Sequence, residues 1–99
     1  MLLIPEKRLT LLLEAISSLK TADECAAFLE DACTIKEIQD MAQRLDTAIL
    51  LDKGYSYQKI SDMVGVSTAT ISRVNRSLVF GEDGYAMVFE RLGLKNTEK

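Results

Sequence analysis

Tyr57-Gln-Lys-Ile-Ser-Asp-Met-Val-Gly-Val-Ser-Thr-Ala-Thr-Ile-Ser-Arg-Val-Asn-Arg76 is the stretch that decides the fold. It reads as two short helices joined by a tight, glycine-containing turn, the helix-turn-helix pattern. A small residue, Ser61, stands early in the first helix, where the second must cross closely. Gly65 occupies the turn, where a positive φ is expected. Ile60, Val64, Val66, Ile71 and Val74 fall where the two helices face each other and the body. The second helix opens on small residues, Ser67, Thr68, Ala69, Thr70 and Ser72, suited to entering a major groove. Such a pair could also be a structural element of a helix bundle.

The same rhythm extends outward. Leu9, Leu12, Leu13, Ile16 and Leu19 keep the 3–4 spacing of one helix face from about Pro5 to Lys20. Thr21 and Glu24 form a capping box, with Glu24 expected to reach back to the Thr21 amide. Thr34 and Glu37 repeat it and open a long helix with Ile38, Ala42, Leu45 and Ile49 on one face, widened by Met41, Ala48 and Leu51. Gly54 ends that helix, Ser56 and Ser67 cap the next two, and Gly81 closes the fifth. Glu82-Asp83-Gly84 is a polar turn. Tyr85, Val88, Phe89 and Leu92 make a last helix with a docking face, followed by a frayed tail from Gly93. The methionines read as core. The expectation is an all-α fold of six helices in a single domain, 1–99. Its parts are N-terminal helices (1–33), a long helix plus helix-turn-helix (34–81), and a C-terminal helix and tail (82–99).

Composition narrows the function. The 99 residues carry 12 Lys+Arg against 15 Asp+Glu, net −3, so binding nucleic acid through overall charge is excluded. The distribution is uneven. Residues 53–81 hold four cations, Lys53, Lys59, Arg73 and Arg76, against one acid, Asp62, a local +3; the remainder carries −6. A basic segment on an acidic body suits phosphate contact, and on these grounds Lys53 and Arg76 are candidate DNA contacts. There is no histidine, the commonest general base near neutral pH, and no triad or phosphate-binding glycine loop, so no enzyme and no cofactor are expected. Carboxylate pairs such as Asp23-Glu24 sit at helix ends and read as caps and turns. Cys25 and Cys33, about 11 Å apart along a helix, are too distant to bridge and form no zinc motif; they read as half-buried free thiols. No apolar run approaches the roughly 18 residues of a membrane span, and a cytoplasmic protein is expected.

From Thr34 to Leu78 the chain resembles the Trp repressor family, and as a whole it is similar to the YerC/YecD-type branch. The matching features are Thr34, Arg44 in the long helix, Gly54 at its end, Ala69-Thr70-Ile71-Ser72-Arg73 and Asn75-Arg76-Ser77-Leu78. The resemblance implies an intertwined homodimer, which would cover the overly wide apolar faces of the first and third helices. It implies a sequence-specific transcriptional regulator, a repressor, on double-stranded DNA. The two-fold axis calls for a palindromic operator with half-sites about one helical turn apart. It places Lys53 at phosphate, Tyr57, Gln58 and Ser61 at backbone and groove, and Thr68, Ala69, Thr70 and Ser72 at base edges or bridging waters. It also implies an amino-acid pocket in which Arg44 and Arg73 sandwich an indole while Thr34 and Ser77 hold polar ends. Here the glycine that follows the second arginine is replaced by Val74, whose isopropyl group fills space the indole needs. Asp31 and Cys33 replace apolar residues flanking the cap. Tryptophan sensing is therefore expected to be lost. Two alternatives stand beside this reading: a repressor gated by another small molecule near Arg44 and Arg73, and a protein-interaction module that binds no DNA.

Overall fold

The structure, a computed structural model, describes residues 6–94. All six expected helices are present: α1 Glu6–Ser17, α2 Ala22–Ala32, α3 Ile35–Asp52, α4 Tyr57–Val64, α5 Thr68–Phe80 and α6 Gly84–Leu92, with no strand among the described residues. No described helix is long and apolar enough to cross a membrane. The chain divides into two compact units, and the division falls within α3, after Ile38.

In the first unit, local hydrogen bonds set the helix ends. α1 stops at Ser17, three residues short of the expected Lys20, and the expected start at Pro5 lies outside the described residues. The Ser17 and Ser18 hydroxyls donate to the carbonyls of Glu14 and Ala15, at 3.2 and 2.6 Å, and so take up acceptors of the last turn. Thr21 caps α2, its hydroxyl accepting from the Glu24 amide at 3.1 Å. The return bond differs from expectation. The Glu24 carboxylate accepts from the amide of Lys20, at 2.8 Å, not from Thr21. Lys20 lies past the end of α1, and the carboxylate meets its amide in the connecting segment. At Thr34 the box closes as expected: the Glu37 amide donates to the Thr34 hydroxyl at 3.1 Å, and the Thr34 amide donates to the Glu37 carboxylate at 2.8 Å.

α1 and α2 bury none of their residues. Leu11, Leu12, Leu13 and Ile16 are all exposed, as is Ile35 at the start of α3. Cys25 is exposed and Cys33 half-buried, both as free thiols, so only Cys33 matches its expected burial. Helices of 12 and 11 residues are marginal in water without a packed face. The exposed leucines of α1 are the apolar surface such packing requires.

The second unit has two adjoining cores. One joins Ala48 of α3, Val74 of α5 and Phe89 of α6, with Leu45, Ile49, Leu78, Tyr85 and Leu94 around them. The other joins Ile60 of α4, Val66 of the turn and Ile71 of α5, with Leu50 and Val64. Leu51 packs against both. The buried face of α3 is narrower than the expected stripe. Only Thr47 and Ala48 are fully buried, Leu45 and Ile49 are half-buried, and Ala42 and Met41 are exposed. Small side chains at 47 and 48 let this part of α3 be covered completely by its neighbours. The Thr47 hydroxyl is satisfied inside the helix by the Gln43 carbonyl at 2.7 Å.

Further corrections follow from the same packing. Met41, Met63 and Met87 are exposed, not core; Met1 lies outside the described residues. On α6 only Phe89 is buried, with Tyr85 tilted against it at 6.1 Å, while Val88 and Leu92 remain exposed. The tail begins in order. The amides of Gly93 and Leu94 donate to the carbonyls of Glu90 and Phe89, the Schellman pattern, and Leu94 packs on the core. The same pattern closes α3: the amides of Gly54 and Tyr55 donate to Leu51 and Leu50. At Gly81 any Cβ would collide with the Ser77 carbonyl, which accepts the Gly81 amide, so only glycine closes α5 this tightly.

Candidate nucleic-acid interface

The helix-turn-helix assembles as its residues require. Ser56 caps α4, accepting from the Lys59 amide at 3.2 Å, and Ser67 caps α5, accepting from the Thr70 amide at 3.2 Å. Gly65 ends α4 with φ +83°. Nothing lies within 4 Å of where its Cβ would be, so glycine is needed there for its backbone conformation alone. Ser61 does more than stay small. Its hydroxyl donates to the Val66 carbonyl at 2.8 Å and ties the turn to α4. Ile60, Val66, Ile71 and Val74 are buried and Val64 is half-buried, so all five expected apolar positions face inward.

With that side buried, the opposite side of α5 faces outward. Thr68, Ala69, Ser72, Arg73 and Arg76 are all exposed. Ala69, Ser72, Arg73 and Arg76 recur at helical spacing on the side opposite Ile71 and Val74. Thr70 is half-buried, and its hydroxyl accepts from the Ser67 hydroxyl at 3.2 Å. These two hydroxyls are thereby engaged in the cap, and Ser67 itself is exposed. Lys53 and Lys59 are exposed, Lys53 at the end of α3 and Lys59 in the first turn of α4. Tyr57 opens α4 and is exposed; Gln58 is exposed, and its amide donates to Asp62 at 3.1 Å, an i, i+4 pair. Sequence reasoning missed three side-chain bonds: Ser61 to the Val66 carbonyl, Gln58 to Asp62, and the bond from the Ser67 hydroxyl to the Thr70 hydroxyl that accompanies the expected cap. The 3–4 spacing of residues 69, 72, 73 and 76 was a readable signal for the outward stripe.

The residues of the expected amino-acid pocket are placed as follows. Arg44 on α3, and Arg73 and Ser77 on α5, are exposed residues of the second unit. Thr34 belongs to the first unit, where its hydroxyl is the cap of α3. Val74 is 4% exposed and packs with Ala48 and Phe89. A groove of about 350 Å³ lies between α3 and α4, lined by Gln43, Asp46, Ile49, Leu50, Met63 and Val64. Neither arginine lines it.

Residues 7–93 match the family model described as Trp repressor protein. The chain belongs to the Trp repressor family. A relative, the uncharacterized protein YerC of Bacillus subtilis (strain 168), is 49% identical over 92 residues, spanning 93% of this chain and 88% of that protein. Among solved structures, a TrpR-like protein from Eubacterium eligens ATCC 27750 is similar with a TM-score of 0.87 and 49% identity, over 92% of this chain and 94% of that one. A proposed Trp repressor from Staphylococcus aureus has a TM-score of 0.87 and 43% identity, over 93% of each chain. The all-α Trp repressor fold expected from the sequence is therefore the fold of this family member.

Proposed function

We propose that this protein is a sequence-specific DNA-binding regulator of transcription that acts as a cytoplasmic homodimer and represses by occluding promoters. One observation carries the reading. α5 presents an exposed face of small polar residues and arginines, Thr68, Ala69, Ser72, Arg73 and Arg76, on a turn held by Gly65 and Ser61. Short side chains let a helix approach base edges closely, and the locally basic segment supplies phosphate contacts. Family membership points to a regulator and away from catalysis. The exposed apolar face of α1 supports the dimer, since a second copy is the partner that a repressor on a two-fold symmetric operator requires.

Tryptophan is not the effector in this reading. Val74 stands where the family pocket has glycine, and its isopropyl group is fixed in the core beside Ala48 and Phe89. The test is selection of bound sequences from random duplex DNA by the purified protein at near-physiological salt, without added ligand. Enrichment of a palindromic site supports an effector-independent dimeric regulator. Failure to enrich any site without tryptophan, with enrichment restored by it, would overturn the effector part. No enrichment in either case would remove the DNA-binding reading.

A further inference from the structure

We propose that Arg73 reads a guanine in the major groove and sets the strongest base preference of each half-site. The inference rests on α5 being the recognition helix, as proposed above.

The argument begins with reach. The first six residues of α5 are Thr68, Ala69, Thr70, Ile71, Ser72 and Arg73. Five of them are short or turned inward, so the helix can lie deep in a groove. Arg73 alone among them has a side chain long enough to cross from the helix to a base edge some distance away. It is exposed and shares the outward stripe with Ala69 and Ser72, on the side away from buried Ile71 and Val74.

Three other donors near this surface are engaged within the protein, and the exposed hydroxyls of Thr68 and Ser72 sit on short side chains that reach less far than a guanidinium. The Ser61 hydroxyl is given to Val66, the Gln58 amide to Asp62, and the Ser67 hydroxyl to Thr70. Arg76 shares the stripe but sits one turn further along, about 10 Å from Ala69, where a recognition helix rises toward the backbone. Its natural partner is phosphate.

The base follows from the donor. A guanidinium presents two parallel N–H groups in a planar fork. Guanine alone offers two adjacent acceptors, N7 and O6, on the major-groove edge. A lysine supplies charge without the fork, and so separates base reading from phosphate attraction.

The experiment compares the full-length wild type with Arg73→Lys, Arg73→Ala and Arg76→Ala in selection from random duplex DNA, followed by affinity measurements on the enriched site. A second set of probes carries 7-deazaguanine, which lacks the N7 acceptor, at each enriched guanine. Circular dichroism checks that each variant folds; both arginines are exposed, so folding should be unchanged. The expected result is a symmetric guanine whose preference, on the order of 5- to 150-fold in wild type, disappears in both Arg73 variants. The 7-deaza probe should weaken wild type at that position and leave Arg73→Ala unaffected. Arg76→Ala should weaken all sequences alike. If Arg73→Ala lowers affinity equally for every sequence, Arg73 is a phosphate contact and the proposal fails. If Arg73→Ala leaves both affinity and preference intact, it also fails, while the DNA-binding reading stands. A wild type that enriches no sequence overturns both.

Discussion

Single residues in the turn each answer to a different physical demand. Gly65 sits at φ +83° with open space around it. Gly65→Ala should therefore cost about 1–2 kcal/mol through backbone strain alone. Gly65→Asn should cost less, because asparagine tolerates the left-handed region. The midpoints of urea unfolding check the ranking; equal losses for both would mean that space, not φ, sets the requirement. Ser61, on α4 beside the turn, is legible in the sequence for its small size, whereas its hydroxyl bond to the Val66 carbonyl is visible only with the turn in place.

The caps act at the scale of the element. Thr34 and Glu37 close the start of α3 reciprocally. The Thr34 amide, with a smaller contribution from its hydroxyl, holds the Glu37 carboxyl below the ordinary glutamate range. A lowered folded-state value means that the ionised form is favoured by folding. Its contribution is complete above the unfolded-state value and is lost as pH falls through the folded one. Glu37→Gln should thus be less stable than wild type at about pH 7, and the gap should be smaller at about pH 3, below the ordinary glutamate value of 4.5. Urea midpoints at the two pH values measure this; a gap undiminished in acid would mean that the carboxylate charge is not what the cap uses. All four expected Ser/Thr caps formed, because each bond joins residues three apart and needs nothing from the rest of the chain. Glu24 departed from its expected partner because the connecting segment, not the helix, decides which amide it meets.

At the scale of the molecule, burial is unevenly shared. Phe89 is 1% exposed and anchors the core of α3, α5 and α6. Phe89→Ala should cost about 3–5 kcal/mol, a large part of a small domain's stability. Phe89→Leu keeps most of the volume and should fold with a smaller loss, seen as a higher melting temperature than Phe89→Ala. Equal melting temperatures would mean that the cluster does not hold the unit together. Apolar residues left exposed tell the other part: Leu11 and Ile16 on α1, and Phe80, 83% exposed at the end of α5. If a second copy covers the α1 face, the melting temperature should rise with protein concentration, and light scattering should give twice the chain mass. Ile16→Glu should abolish both. A concentration-independent melting temperature with a single-chain mass would remove the homodimer.

What the sequence alone determined about this protein was local: six helices, their caps, the glycine turn and the inward face of the helix-turn-helix. These follow from bonds three or four residues long, from a φ that glycine adopts freely, and from a 3.6-residue period readable without partners. Of the residues that carry the family resemblance, Ala69 to Leu78 lie on the second helix of that motif, and Thr34, Arg44 and Gly54 lie before it. Only the tertiary structure decided that Thr47 and Ala48 make the deepest contact of α3, that Met41, Met63 and Met87 face outward, and that Val88 and Leu92 stay exposed while Phe89 is buried. Those outcomes depend on which helices lie alongside and how closely they approach. An apolar residue carries no record of that in its own spacing, because burial is a property of neighbours brought together from distant parts of the chain.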